Sequence, residues 1–317
     1  MKALICGVAG QDGSYLAKLL LSKGYEVVGT SRDAMVASTS NLQHLGVRHD
    51  VSLVSMAIND FRSVLRVLQH HKPDEIYNLA GQTSVGLSFE QPVEAIESIA
   101  QGTLNMLESI RFIDRPVRFY NAGSSECFGD TPNGPANEDT PFQPRSPYAV
   151  AKASAHWLVR NYREAYGLYA CTGILFNHES PLRPERFVTQ KIIQGAARIA
   201  QKKDSVLELG NIEIQRDWGW APEYVEAMWQ MLRQERADDF VIATGTTRSM
   251  AYFIERAFAW FGLDWQAHVR FNNELRRPSD ITISQGDPGK AASQLGWRAH
   301  LKVDAVIDEM CAAVAAK

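Results

Sequence analysis

Three glycines near the start of the chain separate a short apolar run from a stretch with helical periodicity. The run covers 3–6, the glycines are Gly7, Gly10 and Gly13, and the residues after them carry leucines at helical spacing. A second run, rich in β-branched residues, follows at 26–30. This order of strand, turn, helix and strand predicts a βαβ unit. Because such units join parallel strands, the chain is expected to build a parallel sheet covered by helices.

Short strands and helices continue to alternate through the first half of the chain. Further strands are predicted at 51–54, 75–79, 117–121 and 171–176. Further helices are predicted at 61–71, 92–111 and 148–166. The alternation predicts the α/β fold class, with a Rossmann-type doubly wound parallel sheet. We assign residues 1–176 to a dinucleotide-binding domain.

The pattern loosens after Asn177, where proline and arginine become frequent. Beyond this point we predict a strand at 240–243 and helices at 188–200, 224–233, 251–261 and 303–315. We expect residues 177–220 and 246–317 to form a smaller, interleaved α/β lobe that binds the substrate. Residues 221–245 are expected to return to the dinucleotide-binding domain.

Composition and charge exclude several kinds of partner. The 317 residues carry 33 Lys and Arg against 36 Asp and Glu, a net charge of −3, and no basic run indicates binding to nucleic acid or to a membrane surface. The four cysteines are widely spaced and form no C-x-x-C pair, so neither disulfides nor a metal site is predicted. Without a signal sequence or a long apolar segment, we expect a cytoplasmic protein.

The glycine turn is the predicted site of a dinucleotide. Its G-x-x-G-x-x-G spacing puts backbone N–H groups and a helix N-terminus where a pyrophosphate can bind. After the second strand, Arg32 would accommodate the 2′-phosphate of NADP, whereas Asp33 would bind the ribose 2′-hydroxyl of NAD. Arg32 lies nearer the expected strand tip, so NADP is favoured and NAD is the alternative; a third reading is that both are solvated loop charges. The candidate cofactor residues are Gly7, Gly10, Gln11, Asp12, Gly13, Arg32, Leu79, Ala80, Tyr148 and Lys152.

A tyrosine and a lysine four residues apart form the predicted catalytic pair. Tyr148 and Lys152 share a face of the helix predicted at 148–166. The lysine ammonium, together with a positive nicotinamide, favours the charged form of the phenol, so we expect a lowered pKa and a role as general base. Ser124 would hydrogen-bond the substrate hydroxyl beside Tyr148.

Glu126 adds a group that a simple alcohol dehydrogenase does not need. Once C4 of a hexose is oxidised to a ketone, the C5 proton becomes acidic, and a carboxylate can remove it while the C6 hydroxyl leaves as water. The alternative is that Glu126 only caps or pairs within a turn. Its place in a Ser124-Ser125-Glu126 triplet upstream of Tyr148 favours catalysis.

Several segments resemble the extended short-chain dehydrogenase/reductase family and, within it, the GDP-mannose 4,6-dehydratases. They lie at 7–16, 77–80, 85–89, 144–152, 175–181, 187–191 and 216–229. The resemblance implies that the catalytic set is Ser124, Glu126, Tyr148 and Lys152. It also implies that the GDP and the sugar are surrounded by Asn177, Lys191, Arg216 and Arg277. Ser84 and Ser125 complete the predicted substrate site.

The chain departs from the family pattern at three places. Ser124 stands where the family usually has threonine, which keeps the hydroxyl. The segment 31–39 replaces the usual Arg-Arg-Ser-Ser stretch, which in the family supports NADP binding and a tetramer contact. Ala57 stands where an aspartate that meets the adenine is expected.

The predicted reaction is the redox-neutral dehydration of a nucleotide sugar, GDP-mannose to GDP-4-keto-6-deoxymannose, with the hydride returned to C6. The alternatives are a GDP-4-keto-6-deoxyhexose reductase or epimerase of the same family, and a non-catalytic dinucleotide-binding regulator. Apolar faces on the helices predicted at 92–111 and 148–166 indicate a homodimer or homotetramer.

Overall fold

The computed structural model describes residues 1–275 and 277–316 and places a seven-stranded sheet at the centre of the chain. The strands are β1 (Lys2–Cys6), β2 (Glu26–Ser31), β3 (Val51–Ser55), β4 (Glu75–Asn78), β5 (Arg118–Ala122), β6 (Tyr169–Leu175), β7 (Asn177–Glu179), β8 (Leu207–Leu209), β9 (Gln215–Trp220), β10 (Phe240–Ile242), β11 (Thr247–Ser249) and β12 (Val269–Phe271). The central sheet runs β3-β2-β1-β4-β5-β6-β10, with every neighbouring pair parallel. This order, with the first strand in the interior, is that of a doubly wound Rossmann fold, and it confirms the predicted fold class.

Helices cover both faces of this sheet. They are α1 (Gln11–Ser22), α2 (Ser40–His44), α3 (Phe61–His71), α4 (Val85–Glu90), α5 (Pro92–Ala95), α6 (Gly102–Ile113), α7 (Pro147–Tyr166), α8 (Val188–Ala200), α9 (Ala221–Met231), α10 (Met250–Trp260), α11 (Trp265–His268) and α12 (Val303–Ala315). Across the described part of the chain, no helix combines the length and the apolar character that a membrane span requires.

The central strand β1 shows why the sheet is buried on both faces. Ala3 and Ile5 belong to one hydrophobic cluster, which includes residues of α1 and α9. Leu4 and Cys6 point the other way, into a cluster with residues of α3, α6 and α7. Successive side chains of a strand point to opposite faces of the sheet. Because helices cover both faces, residues 3–6 of β1 are all buried, and their sequence is a continuous apolar run.

A smaller group of elements packs around a separate hydrophobic cluster built mainly from α8, α10 and α12. It includes a three-stranded sheet in the order β11-β9-β7 and the parallel pair β12-β8. The sequence pattern did not predict these strands, because they lack the continuous apolar runs that mark the strands of the central sheet. Arg276 and Lys317, which belong to the lobe predicted at 246–317, lie outside the described residues.

The helix predicted at 92–111 is divided in the structure. A π-helical segment, Ile96–Gln101, separates α5 from α6. Within it, the Ser98 hydroxyl donates to the Glu94 carbonyl at 2.7 Å and accepts from the Gln82 amide at 3.1 Å. The π-helical segment is therefore hydrogen-bonded to the loop after β4. The apolar periodicity of the sequence does not indicate this contact.

Candidate active site

A cavity of about 440 Å³ opens beyond the carboxyl ends of β4, β5 and β6. Carboxyl ends of parallel strands are where ligands bind in doubly wound folds. The predicted site residues that line it are Asp12, Leu79, Ser84, Ser124, Ser125, Glu126, Tyr148, Lys152, Asn177, Lys191, Arg216 and Arg277. The predicted residues that do not line it are Gly7, Gly10, Gln11, Gly13, Arg32 and Ala80.

The glycine turn lies at the edge of this cavity, between β1 and α1. Gly7 has a φ of +79°, which side chains rarely adopt. A Cβ on Gly13 would overlap the Gly7 carbonyl oxygen and lie 2.7 Å from the Cα of Val8, so the turn closes only on glycine. Gly10 is the N-cap of α1 and makes no side-chain cap hydrogen bond. The geometry therefore leaves the first-turn N–H groups to a ligand, as a dinucleotide phosphate requires.

Gln11 and Asp12 point from this turn towards β7. The Asp12 carboxylate lies 2.9 Å from Nε2 of His178. Gln11 donates to the His178 carbonyl at 3.2 Å and accepts from the Ser180 hydroxyl at 2.9 Å. The predicted cofactor turn is thus bonded directly to the strand that carries Asn177.

The start of α7 places the Tyr148 and Lys152 side chains in the cavity. Ser146 caps the helix by accepting from the Ala149 amide at 3.1 Å, and Pro147 occupies the first turn, where it needs no N–H partner. Lys152 donates to the Ala122 carbonyl at 2.7 Å and its Nζ lies 5.8 Å from the Tyr148 ring centre.

The protonation of this pair differs from the sequence expectation. Burial raises the pKa of Tyr148 well above its ordinary value, and a hydrogen bond with the Ser124 hydroxyl lowers that pKa by less. Burial also lowers the pKa of Lys152 to about 8. The expected lowering of the phenol pKa includes the charge of a nicotinamide, and in the protein alone desolvation of the phenolate dominates.

The Ser124-Ser125-Glu126 triplet follows β5 and begins a 3₁₀ turn, Ser125–Phe128. The Ser124 hydroxyl caps this turn by accepting from the Glu126 amide at 3.3 Å. Burial raises the pKa of Glu126, and the positive charges of Arg216 and Arg277 oppose that shift. Two effects therefore oppose each other at Glu126: burial disfavours the charged carboxylate, and the two guanidinium groups favour it.

Arg216 and Arg277 are brought together by Asp280. The Asp280 carboxylate lies 3.3 Å from Arg216 and 3.5 Å from Arg277. Arg216 is almost fully buried on β9. Asp280 was not among the predicted site residues, although it lies only three residues after Arg277, which was.

The remaining predicted substrate residues lie around the same cavity. Lys191, on α8, donates to the Glu208 carbonyl at 2.8 Å. Ser84 caps α4 by accepting from the Leu87 amide at 3.3 Å. Asn177 is the first residue of β7, and Ser125 is buried in the 3₁₀ turn.

Arg183 and Arg186 also line the cavity and were missed from the sequence. The Arg183 guanidinium lies 3.9 Å from the Phe187 ring centre and 3.3 Å from the Glu179 carboxylate. The signal available in the sequence was the concentration of arginine directly after Asn177 to Pro181. Within residues 1–275 and 277–316, no group of three or more His, Cys, Asp and Glu side chains is arranged to hold a metal ion.

Arg32 lies apart from the cavity, just beyond the end of β2. Its side chain is 86% exposed and approaches Glu94 only to 4.0 Å. The Asp33 carboxylate turns back to accept from the Met35 amide at 2.9 Å. Both candidate selectors of the cofactor ribose are exposed, and the Asp33 carboxylate already accepts a backbone hydrogen bond.

Comparison with known proteins identifies the family. The family profile described as GDP-mannose 4,6 dehydratase matches residues 4–310. GDP-mannose 4,6 dehydratase 1 of Arabidopsis thaliana is 47% identical over 97% of this chain and 88% of its own length. GDP-mannose 4,6-dehydratase of Vibrio cholerae is 44% identical over 98% of this chain and 92% of its own length. The crystal structure of dTDP-glucose 4,6-dehydratase of Streptomyces venezuelae, with NAD and TYD bound, shares the fold: its TM-score is 0.87 at 23% identity, over 99% of this chain and 96% of that one. The chain belongs to the GDP-mannose 4,6-dehydratase family.

Proposed function

We propose that the chain dehydrates GDP-mannose to GDP-4-keto-6-deoxymannose without net consumption of a nicotinamide cofactor. The observation that carries the proposal is that one cavity holds Glu126, with two arginine charges acting on it, together with Tyr148 and Lys152. A reductase or an epimerase needs the tyrosine and the lysine, but has no elimination for a buried carboxylate to perform. The family membership supports the same reaction.

The glycine turn supports a dinucleotide, and the tip of β2 favours NADP. Gly7 and Gly13 leave no room for side chains, and the α1 N-terminus keeps donors for phosphate. Asp33 is engaged by the Met35 amide, whereas Arg32 is open to a 2′-phosphate. NAD is the alternative cofactor, and binding of the two can be compared directly by titration.

Ser124, Tyr148 and Lys152 move the proton of the C4 hydroxyl. Bound NADP⁺ would supply the hydride acceptor for C4 and a positive charge near the phenol. Ser124 orients the hydroxyl, and Tyr148 accepts its proton as the alcohol becomes a ketone. The raised pKa of Tyr148 means that its phenolate forms only when further positive charge reaches the buried site. Lys152, bonded to the Ala122 carbonyl, is fixed beside the phenol.

Glu126 then performs the elimination. Its carboxylate takes the C5 proton, the electron pair of that C–H bond forms the C5–C6 double bond, and the C6–O bond breaks. The same group returns the proton to the departing hydroxyl, which leaves as water. The hydride taken from C4 would then be returned to C6 while C5 regains a proton, so that the 4-keto-6-deoxy product forms with no net change of the cofactor. Burial, which raises the pKa of Glu126, suits a group that must both accept and donate a proton near neutral pH.

The cations of the cavity hold the diphosphate of the substrate. Arg216, Arg277 and Lys191 line the wall formed by the later half of the chain. One guanidinium group can donate two parallel hydrogen bonds to the oxygens of a phosphate. Asp280 contacts both Arg216 and Arg277 and so keeps the two guanidinium groups close together. Asn177 and the serines at 84 and 125 add neutral donors for the sugar.

The positions of the strands and of the predicted substrate residues along the chain support two interleaved domains. Every strand of the central sheet lies in 1–176 or 221–245, which we assign to the dinucleotide. Asn177, Lys191, Arg216 and Arg277 all lie in 177–220 or 246–317, which we assign to the nucleotide sugar. The cavity is lined from both groups of segments.

Exposed apolar side chains on two neighbouring helical segments support a homodimer or a homotetramer. Val93 and Ile96 are exposed on α5 and the π-helical segment, and Val150 and Trp157 are exposed on α7. These segments pack against each other, so the four side chains belong to adjacent surfaces. A second copy of the chain that buried them would form a four-helix contact.

Turnover with GDP-mannose tests the proposed reaction. A dehydratase forms the 4-keto-6-deoxy product with no net change in the absorbance of reduced nicotinamide. A GDP-4-keto-6-deoxyhexose reductase would leave GDP-mannose unchanged and would oxidise NADPH only when a 4-keto sugar nucleotide is supplied. A regulator without catalysis would bind the dinucleotide and leave GDP-mannose intact. Either of the last two results contradicts the proposal.

A further inference from the structure

A buried histidine faces an oxygen acceptor at each ring nitrogen. Nε2 of His178 lies 2.9 Å from the Asp12 carboxylate, and Nδ1 lies 2.8 Å from the Phe176 carbonyl oxygen. Neither oxygen can donate, so both contacts are hydrogen bonds only when both nitrogens carry a proton. The geometry therefore fits an imidazolium ion paired with Asp12.

The surroundings of His178 fix the ring in this orientation. The Tyr224 ring stacks on it with centres 4.6 Å apart. Its own carbonyl accepts from the Gln11 side chain. His178 is buried, and the two partners in the ion pair are 166 residues apart in sequence. The pair thus joins the glycine turn to β7 through charge as well as through neutral hydrogen bonds.

Asp12 occupies a position that is unfavourable for binding a dinucleotide. It lies in the first turn of α1, beside the N–H groups that would receive the pyrophosphate. Burial raises the pKa of Asp12, but His178, Gln11 and Arg183 together lower it to about 2, so the group is ionised at any working pH. An uncompensated carboxylate there would repel the phosphate charges in a partly desolvated site.

We propose that His178 is a positioning residue for the dinucleotide: as the cationic partner of Asp12, it cancels the negative charge in the phosphate-binding turn. The inference rests on the proposed function only in that the turn binds a nicotinamide dinucleotide. It assigns to the Asn177-His178-Glu179 strand a part in cofactor affinity, in addition to its place in the substrate cavity.

Other charged and titratable groups near the pair come from several elements. Arg183 acts on both members, and its positive charge opposes protonation of His178. The other titratable groups that interact with Asp12 are Tyr15, Tyr120 and Lys152, and Tyr224 stacks on the His178 ring. Glu179, Asp217 and Glu223 act on Tyr224 and not on the pair itself. Burial lowers the pKa of His178, yet the Asp12 charge and hydrogen bond outweigh burial and leave it raised.

Isothermal titration of NADP⁺ into purified protein, without sugar, tests the inference through amide substitutions. His178→Asn removes the cation that is hydrogen-bonded to Asp12 and leaves only Arg183 to offset the carboxylate, so the dissociation constant is expected to rise about tenfold or more. Asp12→Asn/His178→Asn removes both charges, and its dissociation constant is expected to be lower than that of His178→Asn by about threefold or more. The Asp12 side chain is 22% exposed and lines the open cavity, so salt screens part of its repulsion and the defect of His178→Asn should shrink as ionic strength rises.

The alternative is that the Asp12–His178 contact only holds the glycine turn against β7 and has no electrostatic effect on the dinucleotide. In that case Asp12→Asn, His178→Asn and the double variant would all bind weakly, with no recovery in the double variant or in salt. That pattern, or wild-type affinity in His178→Asn, would overturn the inference. Thermal unfolding of each variant shows whether it is folded. If His178→Asn is unstable, the affinity of the folded double variant relative to wild type still tests the inference. Failure to dehydrate GDP-mannose would count against the proposed reaction alone, whereas a wild type that binds neither NADP⁺ nor NAD⁺ would overturn both.

Discussion

At the scale of single residues, Glu126 is set apart from the partly buried Glu138 by its place in the cavity. Burial and two arginines shift its pKa in opposite directions, and the result is a raised pKa. Glu138 provides a comparison: burial raises its pKa too, but it accepts from the Val241 amide at 2.7 Å outside the cavity. Location, rather than protonation behaviour, distinguishes the two groups.

Glu126→Gln is expected to permit oxidation at C4 and to block loss of water. Because the amide cannot take the C5 proton, the rate of dehydration should fall by about 10²–10⁴-fold. A single-turnover assay with GDP-mannose in deuterated water measures cofactor reduction and deuterium at C5. Reduced cofactor should accumulate without deuterium incorporation. Glu138→Gln is the matched control and should dehydrate at the wild-type rate.

Wild-type water loss in Glu126→Gln would mean that the glutamate only shapes the turn. The dehydratase reaction would then have to be explained by another base, and the family membership alone would support it.

Tyr148→Phe is expected to abolish turnover while leaving nucleotide affinity within about threefold, because the phenol transfers a proton and is not an anchor for the ligand. Steady-state kinetics and equilibrium titration of the nucleotide measure the two effects. Tyr162→Phe is the control: Tyr162 lies on the same helix, but it donates to Glu108 at 2.7 Å outside the cavity. If Tyr148→Phe turned over within a few-fold of wild type, Tyr148 would have no part in the mechanism.

Asp217 is expected to make the protein less stable as the pH rises. Burial raises its pKa from 3.8 to about 6, against the hydrogen bonds it accepts from the amides at 244–246. A raised folded-state pKa means that the folded protein binds this proton more tightly. The contribution, on the order of 3 kcal/mol, is therefore complete below pH 3.8 and is lost by about pH 6.

Urea unfolding of wild type and Asp217→Asn across that range measures the effect. The variant should gain stability relative to wild type as the pH increases, because its side chain does not titrate. A stability difference that is independent of pH would show that Asp217 is ionised throughout and that its amide hydrogen bonds dominate.

At the scale of elements, the turn between β1 and α1 requires the backbone at Gly13 to pack directly against the backbone of Gly7 and Val8. A Cβ on Gly13 would meet backbone atoms that cannot yield, whereas nothing lies within 4 Å of a Cβ on Gly86, inside α4. Gly13→Ala should therefore lower the free energy of unfolding by about 1–3 kcal/mol and weaken dinucleotide binding. Gly86→Ala should be neutral or stabilising by up to about 1 kcal/mol. Equal unfolding midpoints for the two variants would contradict this account.

At the scale of the whole molecule, assembly depends on the apolar surface of α5, the π-helical segment and α7. Trp157→Glu places a charge where a second copy would exclude water, so the variant should be a monomer at micromolar concentration, as measured by light scattering. Trp260→Glu is the control, since Trp260 is also exposed but lies on α10. A wild type that is itself monomeric would contradict the proposed dimer.

Local sequence was sufficient to predict the central sheet and to place Tyr148 and Lys152 on one face of a helix. Glycines at positions 7, 10 and 13 exclude side chains from a turn, and alternating apolar runs specify strands and crossover helices; both are properties of a few consecutive residues. Tyr148 and Lys152 share a helix face at any tertiary arrangement, because they are four residues apart. The strands β7 and β11 were missed because their residues are polar and form no apolar run, unlike those of the equally short β10.

Tertiary structure alone decided the electrostatics of the site. Glu126 meets the charges of Arg216 and Arg277 only because the chain returns to the cavity from distant positions, and Asp12 meets His178 across 166 residues. The pKa of Tyr148 is raised rather than lowered, because desolvation depends on what surrounds the ring and not on its neighbours in sequence. Periodicity records which side of an element is apolar, whereas burial, charge pairing and proton affinity are set by the elements that pack against it.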